Sequence, residues 1–522
     1  MKIGILILAS LLMAANSHAW GPEPVVVEAD VEDCWEYKAI SDGEGGVIIW
    51  WYGGPPPGAQ RISKHGELLW GSDGISLFGR PIGAGGITSD GTGGVIIVGV
   101  GWPDGTGVFA QRLGPEGRKK WEEGGVDLGI PGGVTVSAVP DGTGGAIVMV
   151  GPLPWGSEGD VYIQRVDGDS RVRWGSGGKY LGEAKGNLRL FPTGNGGAIA
   201  MVGFSKAWKV GADGRVSWEA RGLKDGTLLP EPLPEPMFVL EGGYVKKLSP
   251  RLEPLWEVQI WESRRMFGKV SVEDGEGGAF VAWVDWNLYE ADTRGQRMGG
   301  YVVHIGADGR KVWGPVRYAD DVLELDWPRL LPDGKGGVFI AYQDLLAGNN
   351  ERGIPSSAYL EHVDRRGQIS WSLVLGKANN NNTPYLISDG RGGVIVSWVF
   401  EGRIYVQHVS AEGDVGANYT SVKTGMMEVP EEFRLGQNIP NPFNSLTLIP
   451  YSVPEGRQYS LRIYNLLGQE IRTLVEGGKC WGRQIAVWDG KDEKGRDVTS
   501  GVYVCVLQAG ELREARRMIL AR

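Results

Sequence analysis

The chain has 522 residues, of which 85 are glycine and 21 tryptophan, with 42% hydrophobic and 22% charged. That length exceeds what one ordinary core serves and implies several domains or a large repeat array. A net charge of −10, spread along the chain, excludes a dedicated nucleic-acid surface, which needs concentrated lysine and arginine.

Residues 1–19 read as a secretory signal peptide. Lys2 supplies the positive start, Ile3 to Ala15 is almost wholly apolar, and Ser17-His18-Ala19 fits the small-x-small cleavage pattern before Trp20. The apolar run is shorter than the roughly 20 residues that span a bilayer. No later segment is long and apolar enough to cross one, so the expected address is secreted or extracellular, with attachment to the outer cell surface as a variant. The three cysteines, Cys34, Cys480 and Cys505, are too few for a disulfide scaffold. Cys480 and Cys505 either pair or serve, like Cys34, as small buried hydrophobes.

Residues 20–424 carry two alternating motifs. The first is a turn followed by an apolar run: SDGEGGVIIWW from Ser41, SDGTGGVIIVG from Ser89, PDGTGGAIVMV from Pro140 and PTGNGGAIAMV from Pro192. It returns as EDGEGGAFVAW from Glu273, PDGKGGVFIAY from Pro332 and SDGRGGVIVSW from Ser388, and as a decayed copy over Phe238 to Leu248. Asp-Gly-x-Gly-Gly suits the positive φ angles of a tight hairpin, and the β-branched run after it suits a buried strand. Abundant glycine without a collagen period fits the same picture.

The second motif is a basic residue followed nine positions later by tryptophan. The basic residues are Arg61, Arg112, Arg165, Lys209, Lys247, His304, His362 and His408. The first seven are answered by Trp70, Trp121, Trp174, Trp218, Trp256, Trp313 and Trp371, whereas the eighth meets Ala417. Successive basic positions lie 38 to 58 residues apart. Units of about 50 residues with several short strands each predict a propeller. The expectation is an all-β chain with an eight-bladed β-propeller, seven blades being the alternative. Each indole would fill the wedge between neighbouring blades.

The segment GADGRKVW resembles the tryptophan-docking motif of quinoprotein-like propellers, in which a glycine precedes the tryptophan by four. Gly309 and Trp313 match, as do Gly66 and Trp70, Gly117 and Trp121, Gly214 and Trp218, and Gly367 and Trp371. Ser170 before Trp174 and Leu252 before Trp256 depart from it. The resemblance implies an eight-bladed ring more than any chemistry. The adjacent cysteine pair common in quinoprotein dehydrogenases is absent.

A position that accepts Arg, Lys and His alike needs a donor or a positive charge, so a hydrogen bond within each blade, to the turn aspartate, is expected in place of a zinc site. Asp42, Asp90, Asp141, Asp274, Asp333 and Asp389 head the glycine turns and suffice as turn caps. Calcium would need six to eight converging oxygens. No metal and no cofactor is expected.

Residues 425–522 break the repeat. Alternation at Leu461, Ile463 and at Val502, Val504, Val506 reads as half-buried strands of an immunoglobulin-like sandwich. The carrying residues are Gln437-Asn438-Ile439-Pro440-Asn441-Pro442-Phe443-Asn444, Ile463-Tyr464-Asn465, Gly468, Trp488-Asp489-Gly490, Asp492, Gly495 and Ser500-Gly501-Val502-Tyr503. Together they resemble the type A C-terminal sorting domain of proteins exported by the type IX secretion system, which overlaps the flagellar hook-capping Ig-like domain. The resemblance implies outer-membrane secretion machinery as a partner. A plain adhesive Ig-like domain is the alternative.

There is no HExxH, no GxSxG elbow and no P-loop, and three of the five histidines belong to the repeat. The 63 acidic residues offer many carboxylate pairs, which keeps a polysaccharide hydrolase as one alternative. A non-catalytic envelope scaffold is another. The leading expectation is a secreted or surface propeller that binds glycan or protein, with candidate loops at 229–237, 286–300 and 347–357.

Overall fold

The computed structural model describes residues 20–21, 23–27, 36–52, 57–101, 107–133, 135–152, 158–203, 206–221, 233, 237–241, 243–260, 266–285, 298–322, 327–344, 356–378, 383–416, 433–436, 438, 443, 447–453, 458–478 and 482–521. The expected signal peptide, Cys34, Cys480 and most of the candidate loops lie outside these residues. Every regular element among the described residues is a strand.

Between residues 25 and 409 the described residues form eight antiparallel sheets, seven of four strands and one of three. In the first, Glu36–Ser41, Val47–Tyr52, Gly58–Ile62 and Ile75–Ser76 pair in chain order. The same meander recurs through the seventh sheet. Second strands such as Val47–Tyr52 and Val95–Gly101 are buried along their whole length, as β-branched runs are when a sheet is covered on both faces. Each core cluster is shared between two neighbouring sheets: Ile48, Trp50 and Trp70 of the first meet Ile82, Ile97 and Phe109 of the second.

The first strands pack on one another in sequence. Glu36–Ser41 lies against Ile82–Ser89, which lies against Thr135–Pro140, which lies against Leu188–Pro192. Further on, Met266–Glu273 lies against Arg329–Pro332, which meets Tyr385–Ser388, and this strand returns to Glu36–Ser41. Sheets stacked radially with their first strands innermost make a β-propeller. The eighth sheet takes Tyr385–Ser388, Val394–Phe400 and Arg403–Val409 from one end of the ring and Val25–Val27 from the other, with Val25 opposite Val406 and Val27 opposite Ile404.

The fifth sheet corrects one expectation. The sequence of Phe238 to Leu248 predicts a decayed turn of the first motif with its following strand. Instead, Lys247 is paired with Phe238 on one side and Trp256 on the other. The basic residue of the first sheet is likewise paired with the second strand, Arg61 opposite Ile48. Met237–Glu241 is therefore a second strand, and the tight turn between Glu241 and Tyr244 joins it to the third. Among the described residues this sheet has no innermost strand. The Gly-Gly pair imitated the aspartate turn because both serve tight hairpins.

Residues 434–520 form two further sheets, of three and four strands, around one core that includes Leu435, Tyr451, Leu461, Ile463, Trp488 and Met518. Alternation is present in Gly501–Ala509, but the inward face is Tyr503, Cys505 and Leu507. Val502 and Val504 are half-buried on the opposite face. Burial pushes the Cys505 thiol up to about 12.

Candidate functional site

The interval between the basic residue and the tryptophan is that of a hairpin pair. Lys209 lies opposite Trp218, Lys247 opposite Trp256, His304 opposite Trp313 and His362 opposite Trp371. The intervening turn reaches back toward the preceding sheet.

Around this position six of the eight sheets build a polar knot on the turn aspartate. Asp389 Oδ1 accepts the backbone N–H groups of Arg391 (2.7 Å) and Gly393 (2.9 Å), and its Oδ2 meets His408 Nε2 at 2.9 Å. Asp274 and Asp333 do the same with His304 at 2.8 Å and His362 at 3.0 Å. In the first three sheets arginine replaces histidine: Nε of Arg61, Arg112 and Arg165 donates to Asp42, Asp90 and Asp141 at 3.0, 2.9 and 2.9 Å. Burial alone would push the carboxyls of Asp90, Asp141, Asp274, Asp333 and Asp389 up. For Asp389 the hydrogen bonds from His408, Arg391 and Gly393 outweigh that and hold it at about 2. Asp90, Asp141, Asp274 and Asp333 are lowered by the same balance.

The arginines also reach the following sheet. Arg61 Nη1 donates to the Pro115 carbonyl at 3.0 Å, and so does the Trp70 indole Nε1–H, at 3.0 Å. Arg112 and Trp121 share the Gly168 carbonyl at 3.3 and 3.1 Å, and Arg165 and Trp174 share that of Ala212 at 3.5 and 3.0 Å. Trp256 and Trp371 donate to Ala307 and Ala411 at 2.8 and 3.0 Å. Lys247 Nζ donates to Gly277. Trp218 and Trp313 lack this bond, and their buried Nε1 atoms have no partner.

The glycine four before each tryptophan docks the preceding indole. A Cβ on Gly117, Gly214 or Gly367 would stand 2.6, 2.6 or 2.9 Å from the ring or Cβ of Trp70, Trp174 or Trp313. The two departures keep the same left-handed backbone without glycine, Ser170 at φ 68° and Leu252 at φ 66°.

Sequence reasoning missed the eighth tryptophan. Trp20 fills the place that Ala417 leaves: its Nε1–H donates to the Lys64 carbonyl at 3.0 Å, and a Cβ on Gly66 would stand 3.2 Å from its ring. Gln407 donates to the Gly21 carbonyl at 3.2 Å, as Gln60 does to Gly71 at 2.6 Å and Gln164 to Gly175 at 2.9 Å. The available signal was the dipeptide Trp-Gly, common to Trp20-Gly21, Trp70-Gly71, Trp174-Gly175 and Trp313-Gly314.

In the C-terminal unit, several residues singled out in the sequence converge on Trp488. Phe443 and Tyr503 lie 5.4 and 4.9 Å from it between ring centroids, and its Nε1–H donates to the Lys491 carbonyl at 3.0 Å. Asn438 donates to Thr447 Oγ1 at 2.9 Å, Asp489 accepts the Lys491 N–H at 3.2 Å, and Tyr503 Oη donates to the Thr499 carbonyl at 2.7 Å. Gly490 turns the chain at φ 67°, and Ser500 leads into the strand that Gly501 opens. Pro440, Asn441, Pro442 and Asn444 lie outside the described residues.

Among the described residues no group of three His, Cys, Asp or Glu could hold a metal ion, and no helix is long and apolar enough to cross a membrane. No family model matches the chain, and no curated protein does. Three solved structures to which it is similar follow. BamB from Moraxella catarrhalis is 12% identical at TM-score 0.33, over 72% of this chain and 98% of that one. PorZ, an essential surface component of the type IX secretion system of Porphyromonas gingivalis, is 9% identical at TM-score 0.18, over 91% and 85%. An oligogalacturonate lyase from Vibrio parahaemolyticus is 10% identical at TM-score 0.36, over 76% and 94%.

Proposed function

We propose that this is a secreted or cell-surface protein whose eight-bladed propeller binds a glycan or protein without turning it over. Its C-terminal module is an Ig-like sorting domain that engages an outer-membrane, type IX-like export machine. One observation carries the binding reading: the repeated Asp, Arg and His side chains are consumed in bonds within and between sheets, as in Arg61 with Asp42 and Pro115. They build a rigid platform, and the ring nitrogens these bonds leave over, Nδ1 of His304 and His362, are buried away from solvent.

Incubating the purified chain with a panel of polysaccharides, scored for both retention and release of reducing sugar, tests this. Retention without release is expected, and release overturns the non-catalytic reading. For export, residues 425–522 fused to a reporter should carry it to the surface or medium of a type IX-competent bacterium. A fusion that stays in the periplasm overturns the sorting assignment.

A further inference from the structure

The innermost strands of the propeller concentrate positive charge in an acidic chain. They carry Lys38, Arg189, Lys269 and Arg329 against two acids, Glu36 and Glu273, each at a strand end. Lys38, Arg189 and Arg329 occupy one register, opposite Trp50, Met201 and Ala341 of their second strands, and the eighth sheet places Tyr385 there, opposite Ser397.

Two of these cations are set for an anion. The Arg329 guanidinium carbon lies 4.0 Å from the centroid of the Tyr385 ring, which stands edge-on to Tyr37 at 4.9 Å. Its buried Nε has no hydrogen-bond partner. Arg189 is solvent-accessible, yet desolvation holds its guanidinium below the ordinary value and no carboxylate offsets this. Its strand borders the fifth sheet, which has no innermost strand among the described residues. Next to Arg329, Trp327 is 60% exposed. Its Cα lies 3.5 Å from where a Cβ on Gly268 would be, beside Lys269.

An exposed indole offers a flat apolar face, and a guanidinium fork matches carboxylate or sulfate oxygens. We propose that the channel mouth bordered by Trp327 and Arg329, with Arg189 at the same register on another innermost strand, binds an anionic glycan. The sugar ring lies on Trp327 and its carboxylate or sulfate meets the arginines. This rests on the reading of the propeller as a glycan-binding platform.

Titration calorimetry on the purified chain tests it with three oligosaccharides of equal length: a uronate oligomer, a sulfated glucan and the unsubstituted glucan. At least one charged ligand should bind about tenfold or more tighter than the uncharged one, with a preference that shrinks as salt rises; the tighter of the two identifies the anionic group. Arg329→Gln and Arg189→Gln should each abolish most of that preference, while Trp327→Ala weakens all binding. Equal affinity for charged and uncharged glucan overturns the anionic assignment and leaves glycan binding standing. No binding of any of the three overturns both. Melting curves accompany the variants, and Arg189→Gln, at a solvent-accessible position, decides the matter if Arg329→Gln does not fold. Retention of the preference in Arg189→Gln overturns the proposal.

Discussion

Gly413 presses on the Trp371 indole so closely that a Cβ there would stand 2.7 Å from the indole Cγ. Its φ of +87° is also a left-handed backbone. Two penalties therefore fall on one methyl group, the backbone strain of an L-residue and the displacement of a buried ring. Gly413→Ala should cost about 3 kcal/mol, read as a lowered midpoint in urea with an unchanged slope. A loss under about 0.5 kcal/mol, the usual range of a surface substitution, would mean the indole is free to move.

Ser170 and Leu252 hold the same backbone without glycine, and they should respond in opposite directions. Ser170→Gly relieves strain at a turn and should stabilise by about 1 kcal/mol. Leu252→Gly relieves similar strain but removes a fully buried side chain from the core shared with Phe191 and Met237. It should destabilise on balance, because a buried leucine is worth about 2–5 kcal/mol. Denaturant melts of the two variants side by side check the contrast.

Trp20 should be as valuable as any tryptophan of the ring, although it belongs to no sequence repeat. Trp20→Ala empties the pocket over Gly66 and removes the bond to Lys64. The expected cost is about 3–5 kcal/mol. Limited proteolysis should then cut first in the sheet made of Val25–Val27 and residues 385–409. An unchanged digestion pattern would show that the ring closes without this indole.

Acid should loosen the ring through its aspartates. Asp90, Asp141, Asp274, Asp333 and Asp389 all have folded values below their ordinary one, Asp389 at about 2 against 3.8. A depressed carboxyl contributes stability that is full above its unfolded value and fades as pH falls through the folded one. Stability should therefore drop between about pH 4 and pH 2. Asp389→Asn should flatten part of that slope, because the amide cannot take up the proton. A melting temperature that is level across this window would show that the knots contribute no net ionic stabilisation.

Much of the ring was legible in the residues because the same physical demand recurs in every sheet. Asp42 and Gly45 announce a hairpin, Val47 to Trp51 a buried strand, and Arg61 with Trp70 a hairpin pair. Where one sheet departed, the reading failed for a local reason. At Glu241 to Tyr244 a tight turn imitates the aspartate turn because glycine serves both, and only the pairing of Lys247 with Phe238 separates them. Trp20 was hidden because His408, stacked on it at 6.1 Å, and Gln407, bonded to its neighbour Gly21, are distant in sequence and close only after the ring shuts. Likewise Arg189, Trp327 and Arg329 belong to no repeat, and only the packing of the innermost strands brings their level of the ring into view. In the C-terminal unit, alternation at Val502 to Val506 revealed a strand but not which face turns inward; Tyr503 and Cys505 take that side.

Gln407 and Gly21 are bonded although 386 positions separate them. The first-made strand cannot find its place until nearly the whole propeller has been synthesised, so the final closure is a long-range event with a large loop entropy. Until then Val25 to Val27 and the edge of Arg403–Val409 are both unpaired. A chain paused at that stage presents two open edges to its neighbours, and strand exchange between molecules is its characteristic route to aggregation.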